Sequence, residues 1–451
     1  MSGLSRPDLD YRGAIEYINS FTDFEKLASL QIEPFDLTRI ERLLDAVGNP
    51  HLHGVTFHVA GTKGKGSTSA MLASVLHSEG YRTGLFTSPH LHSFRERIRI
   101  DGRPIPERDL CSLVDRARPL VEDMHREGSL GRITTFEITT LIAFIYFDEA
   151  GASYRVIETG LGGRLDSTNV VKPLLAILTS ISLDHTSVLG STLRQVAVEK
   201  AGIIKTGSTV ISAPQPPEAA EVIRQTCHER GARLVQLGED VNWRRMSASP
   251  AGQVIEVRTS RGDYRIEIPL LGRFQCENAV LVLASCQEAR ALGVGLSPRS
   301  VLQGLKQVTW PGRMQILQTD PLVVVDGAHN VNSAGVLRDT VKEDLPFRRC
   351  VLVIGTSVDK DIAGIARELV PLADNVIATR SHHPRSASPE TVAEAFRVLG
   401  KEVRIAGDTP SAMEEALDLA APDDLVLVTG SLFVVAETLA WAGQVEVVDG
   451  A

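Results

Sequence analysis

The chain has 451 residues, of which 43% are hydrophobic and 23% charged, and its formal net charge is -9 at pH 7. This composition is ordinary for a soluble globular protein, and the length predicts two or three domains. The negative balance argues against nucleic acid or an anionic membrane as a partner, so anionic substrates would need a local positive site.

Five cysteines are present, and no two have C-x-x-C spacing. This argues against a disulfide framework or a zinc site and favours buried or free thiols. Residues 1–8 lack the apolar core of a signal peptide. The longest apolar stretches, 138–147 and 174–183, are shorter than the ~20 residues needed to cross a bilayer. We therefore expect a cytoplasmic protein.

The first half of the chain alternates short β-rich runs with helical patterns. Residues 55–60 predict a strand, followed by a glycine-rich turn and a helix over about 67–79 with one apolar face. Residues 154–158 and 175–179 predict further buried strands. Buried strands separated by helices indicate a parallel sheet covered on both faces.

Residues 253–269 differ, because apolar and polar residues alternate there about a turn at 261–263. This pattern predicts an antiparallel hairpin at a sheet edge, followed by a helix over 278–291. A boundary is predicted near 309–312, after which the βα alternation restarts. Four strands are predicted in that last part, at 322–325, 351–354, 376–379 and 425–428.

The predicted fold is therefore α/β with two domains. Residues 1–308 are expected to form a P-loop, parallel-sheet ATPase domain with a small antiparallel edge. Residues 309–451 are expected to form a smaller, Rossmann-like α/β domain.

The segment 61–68, Gly-Thr-Lys-Gly-Lys-Gly-Ser-Thr, lies between a predicted strand and a predicted helix. Glycines let backbone N–H groups approach phosphate, the helix N-terminus adds positive potential, and Lys65 places a mobile charge on the outer phosphates. The match to a standard P-loop is imperfect, since Val59 replaces its first glycine and Gly66 stands where Ser or Thr is usual. An ordinary glycine turn is the alternative. Lys63 is interpreted as a solvated loop lysine.

A loop of the form G-T-x-G-K-G-S resembles that of folylpolyglutamate and dihydrofolate synthases, which are members of the Mur ligase superfamily. The resemblance continues in the family's order through most of the chain, and the shared order makes it specific. The further segments are FTSPHL at 86–91, ETGLGGRLDSTN at 158–169, LDHT at 183–186, EKAGI at 199–203, WPGR at 310–313 and DGAHN at 326–330.

The resemblance implies an ATP site and a Mg²⁺ site. The metal ligands it implies are Ser88, Glu158 and His185. Glu158 follows a buried strand, where a carboxylate is costly unless it is paired or bound to metal. Taken alone, Ser88 fits a turn or helix cap, and His185 fits a hydrogen-bonded structural histidine. The implied ATP contacts are Gly61, Thr62, Gly64, Lys65, Gly66, Ser67, Asn278, Arg313 and Asp326, although Arg313 alone fits a surface ion pair equally well.

Lys200 matches the family segment whose lysine carries a carbamate. An ammonium has no lone pair for a metal, whereas adding CO₂ to the neutral amine makes an anionic oxygen ligand. The alternative is an exposed lysine near a helix end.

The catalytic residues that the resemblance implies are Lys65, Lys200 and His329.

For the substrates, the resemblance implies pterin contacts at Thr134, Phe136 and Asp166, although Thr134 also fits a helix N-cap with an acidic first turn. A glutamate site is implied in the second domain, where each residue follows a predicted strand closely. Its members are His329, Arg385 and Ser431; Arg385 suits a carboxylate. The adjacent His382 and His383 are not assigned to a metal.

The function implied is ATP-dependent addition of glutamate to dihydropteroate, to the glutamate tail of folates, or to both, through an acyl phosphate. We expect a monomer whose partners are small molecules. A Mur-type cell-wall peptide ligase is a rival, but such enzymes usually carry a UDP-sugar-binding domain before the loop, and 60 residues precede Gly61 here. A non-catalytic, nucleotide-regulated binding protein would explain the loop but not the second-domain residues.

Overall fold

The computed structural model describes residues 9–22 and 36–444. Residues 1–8, on which the expectation about a signal peptide rests, lie outside the described residues. None of the helices in the described ranges combines the length and apolarity that a membrane crossing requires. All five cysteines are free, and four of them are buried, which confirms the expectation about thiols.

A large sheet of eight strands occupies the first part of the chain, in the spatial order β4-β3-β2-β5-β1-β6-β7-β8. Neighbouring strands are parallel from β2 to β8. The short β3 and β4 are antiparallel and form one edge. The strands are β1 (Val55–Ala60), β2 (Thr83–Phe86), β3 (Ile98–Ile100), β4 (Arg103–Pro104), β5 (Tyr154–Glu158), β6 (Leu175–Leu178), β7 (Thr209–Ser212) and β8 (Arg233–Gln236).

Helices cover both faces of this sheet, as the buried strands predict. Side chains alternate along a strand, so Leu85 and Val156 join an apolar cluster on one face, whereas Phe86 and Ile157 join a second cluster on the other. The helices of this part are α1 (Tyr11–Asn19), α2 (Thr38–Ala46), α3 (Lys65–Ser78), α4 (Glu107–Glu127), α5 (Thr135–Glu149), α6 (Thr186–Leu189), α7 (Leu193–Ala201) and α8 (Pro217–Glu229).

A separate antiparallel sheet of three strands follows, β9 (Val241–Ser249), β10 (Gly252–Thr259) and β11 (Gly262–Ile268), with β10 in the middle. The predicted hairpin is confirmed as β10 and β11, but its placement at the edge of the parallel sheet is wrong. Its apolar side chains, among them Ile255 and Ile266, pack into the cluster that also contains residues of the helix that follows. That helix is α9 (Arg273–Ala291), and α10 (Pro298–Gln307) comes after it.

The last part of the chain forms a six-stranded sheet in the order β12-β13-β17-β14-β15-β16. All neighbours are parallel except β12 and β13, and the four predicted strands match within one residue at either end. In chain order the elements are β12 (Gln315–Thr319), β13 (Leu322–Val325), α11 (Val331–Asp344), β14 (Cys350–Ile354), α12 (Ile362–Leu369), β15 (Asn375–Ala378), α13 (Pro389–Arg397), β16 (Val403–Ile405), α14 (Thr409–Leu419), β17 (Leu425–Thr429) and α15 (Leu432–Trp441).

Side chains join this last part to the first at two separate places. Asp344, at the end of α11, is buried; its Oδ1 lies 2.5 Å from Arg245 Nη1, and its Oδ2 accepts from Gly272 N at 3.0 Å. Elsewhere, His92 Nε2 lies 2.7 Å from the carbonyl oxygen of Ala436 on α15. The segment between α10 and β12 completes the connection.

Candidate active site

The glycine-rich loop lies between β1 and α3, which confirms the predicted strand–loop–helix order, although the helix begins at Lys65, two residues earlier than predicted. Gly61 and Gly64 have φ of +151° and +87°. A Cβ on Gly61 would lie 1.9 Å from Thr179 Oγ1, and one on Gly64 would lie 2.5 Å from Asn278 Oδ1. Both positions therefore require glycine.

The loop is tied along its length to residues 180–185, the segment after β6. Thr62 N and Lys63 N donate to Ser180 O at 2.8 and 3.2 Å. The Thr62 hydroxyl donates to Ser182 O and accepts from Ser182 N, both at 3.0 Å. Lys63 Nζ lies 2.9 Å from Asp184 Oδ2, so the partly exposed Lys63 is ion-paired as well as solvated, a contact that the sequence did not predict.

Lys65, Glu158 and Ser88 meet at the carboxyl end of β5. Lys65 Nζ lies 3.9 Å from Glu158 Oε1, and Ser88 N donates to Glu158 Oε2 at 3.4 Å. Glu158 is buried, so its charge is balanced by the nearby ammonium rather than by water. An ammonium beside a buried carboxylate is suited to a site where a phosphate and a cation must both be held.

His185 has φ of +48° and precedes α6, with its side chain 63% exposed. Desolvation lowers its pKa, and so do the charges of Lys65, Lys200 and Lys63, while Asp184 opposes them. The lysines near His185 thus favour the neutral form of its imidazole, which is the form that binds a metal.

Within residues 9–22 and 36–444, no group of three or more His, Cys, Asp or Glu side chains is spaced to hold a metal ion. The predicted set fits a Mg²⁺ site through Glu158, because this carboxylate is buried and lies next to Ser88. Further ligands of a Mg²⁺ ion at this site would be the His185 nitrogen and oxygen donors such as the Ser88 hydroxyl or phosphate oxygens.

Lys200, on α7, is buried, so its interpretation as an exposed lysine is wrong. Its Nζ donates to Gly61 O at 2.7 Å, which places it against the phosphate loop. Desolvation, followed by the charge of Lys65, lowers its pKa to about 7. A large part of this amine is therefore neutral and nucleophilic at physiological pH.

The predicted pterin contacts lie around the turn that follows β5. Thr134 caps α5: its hydroxyl accepts from Glu137 N at 3.1 Å, and its own N–H donates to Glu137 Oε2 at 2.7 Å. The Phe136 ring covers Gly160 so closely that a Cβ there would lie 2.6 Å from it. Phe136 also packs on Phe86, with ring centroids 5.7 Å apart.

Asp166 is buried and its carboxylate is engaged within the protein. Oδ1 accepts from Thr168 N at 3.0 Å and from Thr168 Oγ1 at 2.5 Å, and Oδ2 accepts from Leu161 N at 2.9 Å. Desolvation raises its pKa. In this arrangement Asp166 holds the 160–161 turn on which Phe136 rests.

In the last part of the chain, the ends of the parallel neighbours β13 and β17 bring two predicted segments together, since Gly430 N donates to Ala328 O at 3.0 Å. Asp326 is buried and accepts from the backbone N–H groups of Met314 and Ala328, each at 2.9 Å. Desolvation raises the pKa of Asp326, while the charge of Arg313 opposes this. Asp326 thus fastens the segment that contains Arg313.

His329 Nδ1 lies 2.8 Å from Gly327 O, so Nδ1 carries the hydrogen and Nε2 keeps a lone pair. Desolvation lowers the pKa of His329 to about 4, and the charge of Lys63 adds to the effect. His329 is therefore neutral at physiological pH, and it lies close enough to the phosphate loop for the charge of Lys63 to affect it.

Arg385 and Ser431 are linked through two aromatic rings. Arg385 N donates to His383 Nδ1 at 3.2 Å, and the His383 ring stacks on Phe433 with centroids 3.7 Å apart. Phe433 N in turn donates to Ser431 Oγ at 3.1 Å, so Ser431 caps α15. His382 Nδ1 lies 3.1 Å from Glu437 Oε1. The two histidines thus attach the Arg385 loop to α15.

Comparison with known proteins agrees with this architecture. The Mur ligase middle domain matches residues 59–286, and the Mur ligase glutamate ligase domain matches residues 312–432. The dihydrofolate synthase/folylpolyglutamate synthase of Bacillus subtilis is 34% identical over 404 residues, covering 89% of this chain and 93% of the relative. The chain belongs to the folylpolyglutamate synthase and dihydrofolate synthase family.

Solved structures of this family superpose on the chain. The folylpolyglutamate synthase of Mycobacterium tuberculosis complexed with ADP and AMPPCP has a TM-score of 0.84 at 34% identity, covering 91% of this chain and 96% of its own. Escherichia coli FolC in complex with DHPP and ADP has a TM-score of 0.82 at 30% identity, covering 97% and 99%. The predicted family, fold class and enzyme class, an ATP-dependent ligase, are confirmed.

This family member has two site residues that the sequence did not single out. Gln275 is fully buried; its amide donates to Ser67 Oγ at 3.2 Å and accepts from Asn278 Nδ2 at 3.0 Å. The Trp310 ring lies over the loop, and a Cβ on Gly66 would approach it to 3.0 Å. The Trp310 ring therefore leaves little room for a side chain at Gly66, where Ser or Thr is usual after the lysine. Trp310 stands in the WPGR segment and Gln275 stands three residues before Asn278, but the loop residues that they contact, Gly66 and Ser67, lie more than 200 positions away.

Proposed function

We propose that the chain joins L-glutamate to dihydropteroate and to the glutamate tail of folates, as a bifunctional dihydrofolate synthase and folylpolyglutamate synthase. The observation that carries the proposal is the meeting of Lys65, Lys200 and Glu158 at the phosphate loop, with Lys200 Nζ 2.7 Å from Gly61 O and Lys65 Nζ 3.9 Å from Glu158 Oε1. The names of the relatives support the choice of substrates.

The reaction proceeds through an acyl phosphate. A carboxylate oxygen of the acceptor attacks the γ-phosphorus of ATP, and the bond to the ADP oxygen breaks. The amino group of glutamate, after losing its proton, attacks the acyl carbon. Phosphate leaves with one oxygen of the former carboxylate, and an amide remains. This sequence needs no cysteine or serine nucleophile.

The phosphate loop supplies the positive charge that two reacting anions require. Lys65 neutralises charge on the outer phosphates, and the backbone N–H groups at the start of α3 add to it. Ser88, Glu158 and His185 would hold Mg²⁺, which when bound supplies further charge neutralisation. Lys200, as a carbamate, would add an anionic oxygen beside them. Gln275 orients the Ser67 hydroxyl, and Asn278 lies against Gly64 where the nucleoside would bind.

The acceptor lies on the other side of the β5 end. Phe136 offers an apolar ring beside Gly160 for stacking on a pterin. Thr134 and Asp166 complete this site. The Asp166 carboxylate accepts from Leu161 N and Thr168, so its contact with a pterin replaces one of these bonds.

Glutamate binds in the second domain. Arg385 pairs with a glutamate carboxylate, and Ser431 contributes a hydroxyl at the start of α15. The Nε2 lone pair of neutral His329 accepts a hydrogen bond from the glutamate amino group. Arg313 and Asp326 complete the ATP site from the second domain, whose boundary we place between residues 308 and 309. That point lies between the end of α10 and the start of β12.

The test measures glutamate-dependent ADP release with two acceptors, dihydropteroate and a reduced monoglutamyl folate. The acceptor carboxylate carries ¹⁸O, and one labelled oxygen should appear in the released phosphate. Activity with the folate but not with dihydropteroate would show that the protein is a folylpolyglutamate synthase without dihydrofolate synthase activity. ADP binding without glutamate-dependent release, on either acceptor, would identify a nucleotide-regulated binding protein and refute the ligase proposal.

A further inference from the structure

The Lys63–Asp184 ion pair joins two functional segments that lie far apart in the sequence. Lys63 belongs to the phosphate loop, and Asp184 immediately precedes His185. Their 2.9 Å contact follows four backbone and hydroxyl bonds between Thr62 or Lys63 and residues 180–182. The ion pair is thus the last in a series of contacts that ends at His185.

Asp184 uses both carboxylate oxygens. Oδ2 accepts from Lys63 Nζ, and Oδ1 accepts from His185 N at 3.0 Å. His185 has φ of +48°, a conformation that non-glycine residues rarely adopt without local hydrogen bonding. Asp184 supplies that bond, and Lys63 fixes the direction of Asp184.

We propose that Lys63 is a positioning residue, which holds His185 in place through Asp184 and does not act on the phosphates itself. The inference rests on the metal-binding role proposed above for His185. A second lysine in a phosphate loop suggests a direct phosphate contact, but this ammonium already has a carboxylate partner, Asp184, whose other oxygen is bonded to the backbone of His185. Outer partners of this kind orient the groups that bind a metal directly.

The ion pair contributes little to the stability of the fold, because the Lys63 and Asp184 side chains are 35% and 30% exposed. Variants of either residue should therefore fold. Lys63→Met removes the charge at similar length, Lys63→Arg keeps it, and Asp184→Asn removes the acceptor charge. Lys306→Met is the matched control, since Lys306 forms an ion pair with Glu267 at 2.7 Å on the surface.

The experiment measures two affinities in the protein without acceptor or glutamate. Mn²⁺ binding to the ADP complex is followed by electron paramagnetic resonance of the free ion, and ADP binding without divalent metal is followed by calorimetry. We expect K63M and D184N each to weaken Mn²⁺ binding about ten-fold, the lower end of the effect of outer partners on metal affinity. Metal-free ADP affinity, and both affinities in the Lys306 control, should stay unchanged.

The double variant K63M/D184N should bind Mn²⁺ no more weakly than either single variant, because one pair is broken in all three. Lys63→Arg should bind it like the wild type. Additive losses in the double variant would overturn the proposal, and so would a loss of metal-free ADP affinity in K63M alone, which would indicate a phosphate contact. If His185→Ala binds Mn²⁺ as tightly as the wild type, His185 is not a metal ligand and the proposal for Lys63 fails with it. None of these measurements depends on ligase activity, so they separate this proposal from the proposed function.

Discussion

Lys200 offers a sharp prediction, because its burial against the phosphate loop gives the amine an unusual pKa. At a pKa of about 7, roughly three quarters of the amine is neutral at pH 7.5, against about 0.1% for an ordinary lysine. Only the neutral amine adds CO₂. The resulting carbamate keeps one N–H, which can still donate to Gly61 O. We therefore expect Lys200 to carry a carbamate.

The assay is ¹³C nuclear magnetic resonance of the protein equilibrated with ¹³C-labelled bicarbonate at pH 7.5. The wild type should show a carbamate resonance that Lys200→Met lacks. Lys205→Met is the matched control, because desolvation also lowers the pKa of Lys205, to about 8, but its Nζ donates to Asn169 O away from the loop. A wild-type spectrum without the resonance, or one whose resonance persists in Lys200→Met, would refute the reasoning.

The same pKa predicts how stability depends on pH for the unmodified amine. The folded-state pKa lies below that of the unfolded chain, so between about pH 7 and pH 10 the unfolded state binds more protons. The free energy of unfolding should therefore rise with pH in this window. The shift of the Lys200 pKa from 10.5 to about 7 corresponds to a total rise in the free energy of unfolding of at most on the order of 5 kcal/mol. Chemical denaturation without bicarbonate should show a larger rise in the wild type than in Lys200→Met, which keeps the smaller contribution of Lys205.

Three further variants test the proposed roles. Lys65→Ala should abolish ligation with an unchanged melting temperature, because a loop lysine adds charge but little packing; wild-type turnover would exclude the loop from the mechanism. Phe136→Ala should weaken dihydropteroate binding by ~1–3 kcal/mol in calorimetry if the ring stacks on the pterin, whereas Phe136→Tyr should not; equal affinities in all three proteins would remove the stacking. Arg385→Lys should raise the KM for glutamate at least about ten-fold without changing ADP affinity; an unchanged KM would place glutamate elsewhere.

Much of the fold followed from local patterns in the sequence. The strand before the phosphate loop and the four predicted strands of the second sheet are short, apolar and largely buried, so their limits are set by residues close in sequence. The predicted hairpin was confirmed because its two strands are neighbours in the sequence and pair across a short turn. Its sheet was wrongly assigned, because alternation shows that one side of a hairpin is buried but not which element covers it.

The candidate site was predictable only where a motif is contiguous. Gly61 and Gly64 predict a tight loop from neighbouring residues alone. The Lys63–Asp184 pair and the Lys200–Gly61 bond could not be predicted in this way, because each joins residues more than 100 positions apart. Burial of Lys200 is equally invisible in a pattern, because a lysine near a helix end is normally exposed. The family resemblance assigned Lys200 to the active site, whereas its spacing alone favoured an exposed lysine.

Two of the contacts between the first and last parts of the chain differ greatly in strength, and this difference defines an axis of motion. The Arg245–Asp344 pair is buried, and losing one partner of such a pair typically costs about 3–5 kcal/mol. The His92–Ala436 hydrogen bond contributes about 0.5–1.5 kcal/mol. When the weaker bond breaks, the C-terminal sheet stays attached at the Asp344 anchor and at the covalent 308–314 segment, and a rigid body held at two points turns only about the line through them. The C-terminal sheet should therefore turn about this line, with the Asp344 end of α11 staying in place and α15 moving away from His92.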